Sequence, residues 1–308
     1  MSRDSAQPRL YAFTVFTPTF NRADTLPRVY ESLKRQTYGD FEWLVVDDGS
    51  TDSTRDLVAS LQREAGFPVR LLCQEHLGKH FAFNRAVREA RGELLLNLDS
   101  DDQCVPEALQ RLKHHWDSIP EDERARFSSV TGLCVDQEGR LVGDKFPRDV
   151  LDSDPLEIRY RYRVRGEKWG FTRTEVLAEF PFPEVLPGQY VPEGIVWSQI
   201  ARRYKTRYVN EPLRIYHVDR PSLVHGQGAG KHAAGGRLQH LSVLDDELDY
   251  FRFAPAEFCR SAVHYARFSF HTGIGLRQQW RDLKRLPARF LWAMLLPAAW
   301  LVYLGDRK

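Results

Sequence analysis

Cysteine and methionine are scarce, with 4 and 2 residues in a chain of 308. Cys73, Cys104, Cys134 and Cys259 lie far apart with no CxxC pair, so neither a disulfide framework nor a zinc site of the usual spacing is expected. No secretory signal pattern opens the sequence, and the expectation is a reducing, cytosolic location. An excess of one charge is also missing. With 44 Lys and Arg against 42 Asp and Glu the formal net charge is +2, which argues against a polyanion-binding protein, and no nucleic acid partner is expected. No Gly-x-Gly-x-x-Gly follows the first apolar run, and no Gly-x-x-x-x-Gly-Lys-Ser/Thr occurs. A dinucleotide oxidoreductase and a P-loop enzyme are thereby disfavoured, and phosphate is left to a metal and basic side chains.

What is present is an alternation of β-rich apolar runs and helical patterns. Strands are expected over 11–17, 41–46, 69–73 and 93–98, and helices over 26–36, 53–64 and 81–90. This spacing implies βαβ crossovers and an α/β fold with a mainly parallel sheet flanked by helices. In such sheets ligands bind at the carboxyl ends of the strands. Two of the runs end there in acids: Asp47-Asp48-Gly49-Ser50 after the second, and Asp99-Ser100-Asp101-Asp102 after the fourth.

Asp99 and Asp101, two positions apart, project to the same side of an extended segment and can share one hard divalent cation, which in turn holds a diphosphate. The alternative is an acidic turn that caps the helix beginning near Pro106. Adjacent Asp47 and Asp48 repel unless a cation or a donor-rich ligand relieves them, and a base N–H or ribose hydroxyl suits one of them. Together the two patches outline a nucleotide-sugar site. Lys79 and His80, at the start of the third helix, are candidate phosphate contacts; a solvated lysine and a structural histidine are the alternatives.

Phe16-Thr17-Pro18-Thr19-Phe20-Asn21-Arg22, Ser32-Leu33-Lys34-Arg35-Gln36-Thr37, Val45-Val46-Asp47-Asp48-Gly49-Ser50-Thr51-Asp52, Asn84-Arg85-Ala86 and Leu98-Asp99-Ser100-Asp101-Asp102 closely resemble, in order and spacing, the family 2 inverting glycosyltransferases of the GT-A fold. The resemblance is strong over about 13–102 and weaker through Ile215. It implies that Pro18, Thr19 and Asn21 contact base and ribose, that Asp48 reads the base with Asp47 beside it, and that Lys79 and Ser100 belong to the donor site. Asp99 and Asp101 match the Asp-x-Asp pair that holds Mn²⁺ or Mg²⁺, whose role is to neutralise charge on the departing nucleoside diphosphate.

Inversion also needs a base for the acceptor hydroxyl. By resemblance, Val191-Pro192-Glu193-Gly194-Ile195-Val196-Trp197 carries it, with Glu193 as base and Trp197 one turn on, although Pro192 replaces the usual first acid. The alternative makes Glu193 a first-turn acid facing the helix dipole. Glu184 and Glu175 are weaker candidates. Trp169 and Glu184 are assigned with Trp197 to an acceptor pocket, Trp169 as a sugar-stacking ring or a core residue. Arg214, His217 or His225 would approach the diphosphate or metal.

The expected organisation is a flexible N-terminus over 1–10, a GT-A domain over 11–222, a mobile Gly-rich loop over 223–240 and a helical extension over 241–308. In the extension, Arg277, Arg281, Lys284, Arg285 and Arg289 precede an apolar stretch of 15 residues, Phe290 to Leu304. That is shorter than the roughly 20 residues that span a bilayer, so it either lies on an anionic membrane face or packs as a helix. The implied activity is metal-dependent, inverting transfer of a hexose from a nucleoside-diphosphate sugar, UDP-linked in the first instance. The acceptor is a glycan or lipid-linked molecule of bacterial surface polysaccharide synthesis, at the inner membrane face. A sugar-phosphate nucleotidyltransferase should show a Gly-rich, Arg- and Lys-bearing loop near 11–22, and none is seen. A non-catalytic carbohydrate-binding relative would keep the sheet and lose the acids, which are present.

Overall fold

The computed structural model describes residues 9–217, 230 and 232–306. Among these, nine strands form one sheet: β1 (Tyr11–Thr19), β2 (Phe41–Asp47), β3 (Val69–Cys73), β4 (Gly92–Asn97), β5 (Gln103–Cys104), β6 (Phe127–Val135), β7 (Val150–Ser153), β8 (Lys168–Arg173) and β9 (Lys205–Ile215). The strand order is β3-β2-β1-β4-β8-β6-β9-β5, with β7 pairing β9. Over β3-β2-β1-β4 every pairing is parallel. Beyond β4 the sheet is mixed, because β8 runs antiparallel to both β4 and β6, while β6 and β9 are parallel.

The helices of the first part are α1 (Leu26–Lys34), α2 (Thr54–Glu64), α3 (Lys79–Glu89), α4 (Ala108–Asp117), α5 (Glu121–Arg124), α6 (Pro155–Tyr160), α7 (Thr174–Glu179) and α8 (Gly194–Ala201). They cover both faces of the sheet. One core joins Phe13, Val15, Trp43 and Val45 to Leu26, Val29, Val58, Leu109 and Leu112. The other joins Phe16, Leu44 and Val46 to Ala82, Phe83, Val176, Ile195 and Val196. Burial on both faces is why β1, β2 and β4 read as continuous apolar runs rather than alternating ones.

After these come α9 (Ala233–Asp246), a short 3-10 turn at Leu248–Phe253, then α10 (Pro255–His271), α11 (Leu276–Asp282) and α12 (Leu286–Asp306). Within the segment expected to be a Gly-rich loop, residues 233–240 are helical, while 223–229 and 231 lie outside the described residues, as does His225. Glycine serves close packing in α9. A Cβ on Gly235 would lie 2.1 Å from the Tyr190 carbonyl oxygen, and one on Gly236 would lie 2.7 Å from the Phe268 ring.

The apolar tail belongs to a longer helix than the apolar run suggests. Pro287 occupies its first turn, where a missing N–H costs nothing, and α12 runs for 21 residues. By length and composition α12 could cross a membrane. It packs along α10 through Ala288, Trp292 and Ala299, and Asp306 at its end is paired with Arg267 and His271.

Candidate active site

The parallel register places the ends of β1, β2 and β4 side by side. Thr19 is level with Asp47 and Phe16 with Asn97, and the Asp48 N–H donates to the Thr19 carbonyl at 2.8 Å. Both acidic turns therefore emerge at one edge, as their strands imply. The turn after β2 closes through Gly49 at φ +86°, where a Cβ would meet the His76 backbone nitrogen at 2.8 Å.

The structure answers the repulsion between Asp47 and Asp48 within the protein. Asp47 receives Arg55 Nε at 2.5 Å and the Ser50 N–H at 3.1 Å. Asp48 accepts Gln74 Nε2 at 2.7 Å, the Leu77 N–H at 3.0 Å and the Gly78 N–H at 2.9 Å, with His76 Nδ1 also 3.0 Å away. A ligand is thus not needed to relieve the pair, and Asp48 also shapes the loop that leads to Lys79. Asn21 has a comparable local duty: in the left-handed region at φ 52°, its Oδ1 accepts from the Thr51 N–H at 2.8 Å. Pro18 and Thr19 end β1, and the buried Thr19 Oγ1 has no hydrogen-bond partner among the described residues, nor has Asn97 Oδ1 at the end of β4. Buried polar atoms left open at two adjacent strand ends suit a polar ligand.

The second acidic turn divides into two kinds of carboxylate. Asp99 and Asp101 keep side chains 29% and 28% exposed, whereas Asp102 is sealed against Arg214 at 2.6 Å. The Asp102 carboxylate also accepts the His217 N–H at 2.9 Å, and His217 Nε2 lies 3.0 Å from Gln103 Oε1. Arg214 and His217 thus sit behind the turn, with Asp102 as their partner. Arg22, unassigned from the sequence although it ends the first motif, stands 3.9 Å from Asp101. Ser100 between them is buried.

Lys79, the first residue of α3, places Nζ 2.8 Å from Asp99 Oδ1 and 2.9 Å from Glu193 Oε1. Three residues from distant segments thus meet at one point. Burial would raise the Asp99 carboxyl, but Lys79 and Arg214 outweigh it and hold it far below the usual carboxylate range. Burial likewise opposes the Lys79 charge, and Asp99 and Glu193 more than restore it. Glu193 stands at the N-cap of α8, so its position depends on what holds that helix. Ser198 of α8 and Tyr160 of α6 both donate to Glu247, which is fully buried at the end of α9.

Other expected site residues lie elsewhere. Trp169 is 4% exposed and donates from Nε1 to the Asn97 carbonyl at 2.6 Å; its ring is core and has no face free for a sugar, which corrects the stacking expectation. Trp197 is half-buried against Phe83 and Phe182. Glu184 pairs with Arg88 at 3.0 Å and accepts Asn84 Nδ2 at 3.1 Å, both on α3. His80 is buried, with Nε2 3.0 Å from the Val185 carbonyl, in its structural role. At the rim, exposed Phe20 stacks on His76 with centroids 4.1 Å apart. His76 carries no sequence signal, since only the fold brings it beside Asp48.

Residues Asp99 and Asp101 suit a hard divalent ion. Mg²⁺-like ions are commonly held by one or two carboxylates, with substrate phosphates and waters completing the shell. The described residues contain no group of three or more His, Cys, Asp or Glu that could hold a metal alone, so the remaining ligands would come from the donor.

Residues 14–131 match the model of the family described as glycosyl transferase family 2. The chain is 27% identical over 270 residues to the GalNAc(5)-diNAcBac-PP-undecaprenol beta-1,3-glucosyltransferase of Campylobacter jejuni, covering 83% of each. In structure it is similar to S. aureus TarS 1-349 in complex with UDP-GlcNAc, at a TM-score of 0.60 and 21% identity over 93% of this chain and 80% of that one. It spans 53% of a longer TarS chain. A mannosyltransferase of Pyrobaculum calidifontis in complex with GDP-Man and Mn²⁺ aligns at a TM-score of 0.52 and 20% identity, over 97% of this chain and 88% of that one. These structural likenesses establish the GT-A fold, and the segment that carries both acidic turns, residues 14–131, belongs to glycosyl transferase family 2.

Proposed function

We propose that the chain is a metal-dependent, inverting transferase that moves a hexose from a nucleoside-diphosphate sugar, a UDP-sugar in the first instance, to a lipid-linked or glycan acceptor. The observation that carries this reading is the meeting of Asp99, Lys79 and Glu193 at one point beside the strand ends. Asp99 and Asp101 would hold the Mn²⁺ or Mg²⁺, and the turns after β1 and β2 would take the nucleoside. When bound, the metal supplies Lewis-acid neutralisation of the leaving diphosphate. Glu193 accepts the proton of the acceptor hydroxyl as that oxygen bonds to the anomeric carbon, and the sugar's bond to the diphosphate oxygen breaks on the opposite side. One displacement inverts the centre.

The C. jejuni relative, named for an undecaprenol-linked substrate, supports a lipid-linked acceptor, and α12 supplies a surface for reaching one. Leu286, Phe290, Met294 and Leu301 form an exposed apolar stripe on α12. Arg277, Arg281, Lys284, Arg285 and Arg289 stand on or just before it. Apolar side chains flanked by cations suit the headgroup region of an anionic bilayer at the inner membrane face, where each nearby Lys or Arg adds about 1 kcal/mol. The contacts of α12 with α10 favour a helix that lies on the surface over one that crosses it.

The direct test is Glu193→Gln. It should keep UDP-sugar binding and lose transfer by about 10²-fold or more, the scale of general base catalysis. Wild-type turnover in this variant removes Glu193 from the base role, with Glu184 next. Pyrophosphate release from a nucleoside triphosphate and a sugar phosphate would instead identify a nucleotidyltransferase.

A further inference from the structure

We propose that Lys79 is an internal cation that occupies the metal position of the resting site and passes to the donor diphosphate when the donor binds, which makes metal and nucleotide bind synergistically. The inference rests on Asp99 as a metal ligand and adds a competitor for that ligand. Lys79 Nζ is 2.8 Å from Asp99 Oδ1 and bridges from there to Glu193 at 2.9 Å. A divalent ion of the Mg²⁺ class sits about 2.1 Å from its oxygen ligand. An ammonium held on the same oxygen would leave two like charges a few ångströms apart, so one must give way.

Lysine is suited to leave. Its charge rides on a flexible four-carbon stem, and a rigid guanidinium would be harder to redirect. Lys79 follows Gly78, at φ +105°, and opens the 11-residue helix α3, so its backbone sits where a helix N-terminus favours phosphate oxygens. A diphosphate arriving there offers the ammonium a new anionic partner, and Asp99 then becomes free for the metal. The same departure releases Glu193 from its ion pair, so the base is unmasked only in a donor-loaded site. Without nucleotide the metal must displace the lysine unaided.

The test is Mn²⁺ titration, read by the electron paramagnetic resonance signal of free Mn²⁺, with and without UDP. In the wild type Mn²⁺ alone should bind weakly and UDP should tighten it. Lys79→Met should bind Mn²⁺ alone about 5-fold or more tightly than wild type, and the UDP-induced tightening should shrink by the same factor, because in the donor-loaded site Lys79 has already left Asp99. Lys79→Arg keeps the charge and should retain weak binding of Mn²⁺ alone, which separates charge from any change in folding. Binding of Mn²⁺ alone by Lys79→Met that is no tighter than wild type overturns the proposal, including the case in which only UDP affinity falls. Asp99→Asn controls for the parent reading: if it leaves Mn²⁺ binding intact, the metal assignment itself fails.

Discussion

Replacing Asp102 by Asn removes the carboxylate that touches the buried Arg214 guanidinium and leaves Asp99 as its more distant counter-charge. The two side chains are 2% and 6% exposed and meet through Arg214 Nη2 at 2.6 Å, while Arg214 Nε has no hydrogen-bond partner among the described residues. An asparagine oxygen can still accept the His217 N–H, but its NH2 then faces Arg214, so both the charge and the hydrogen bond to the guanidinium are lost. Breaking one side of a buried pair costs about 3–5 kcal/mol. At about 2 °C per kcal/mol, as suits a chain of this size, Tm should fall by about 6–10 °C. Asp101→Asn is the contrast. Its carboxylate is 28% exposed and its cation, Arg22, stands 3.9 Å away, so stability should change by less than about 1 kcal/mol while Mn²⁺-dependent donor binding weakens. Circular dichroism melting at pH 7 and titration with UDP and Mn²⁺ read the two effects separately. An Asp102→Asn variant that melts with the wild type, or an Asp101→Asn variant with unchanged metal-dependent binding, would refute this division of the acidic turn.

Substituting Phe290 and Met294 by Asp, at positions 63% and 76% exposed, should abolish sedimentation with anionic liposomes without lowering Tm; unchanged sedimentation removes α12 as the contact. Glu211 is held down to about 2 by hydrogen bonds from Arg111, against burial, with His115 adding to the effect. Because its folded value lies below the unfolded one, its contribution is present above about pH 4.5 and is lost as the pH falls towards 2. Glu211→Gln should therefore flatten the decline of Tm over that window, and an unaltered decline would refute the assignment.

The first third of the fold was legible because its strands are buried on both faces and its helices follow at short intervals. β3, Val69–Cys73, was read with its observed limits, and β1, β2 and β4 shifted by one or two residues at their ends. The rest of the sheet was harder. β5 has 2 residues and β7 has 4, and the antiparallel placement of β8 between β4 and β6 follows from pairings across long sequence separations. The site divides in the same way. Asp99 and Asp101 announce themselves by spacing, but apart from the Ser50 N–H the donors that satisfy Asp47 and Asp48 come from Arg55 and the 74–78 loop. Trp169 shows the limit of residue type: nothing local distinguishes a ring waiting for a sugar from one buried in the core and tied to the Asn97 carbonyl.

The C-terminal helices were legible as helices and not as part of the site's support. Their core contains Leu156, Tyr160 and Ala201 from the first part together with Val243, Phe258, Tyr265 and Trp292, so it crosses the expected boundary at residue 222. Glu247 fixes α8 from below through Ser198, and Gly235 lets α9 close against the carbonyl of Tyr190, three residues before Glu193. Removing everything after Arg285 would strip Ala288, Trp292 and Ala299 from that core and disturb the support of Glu193 as well as any membrane contact. Point substitutions on the exposed stripe of α12 avoid this, since they alter what the helix offers to a bilayer and leave its packed side, and through it Glu193, in place.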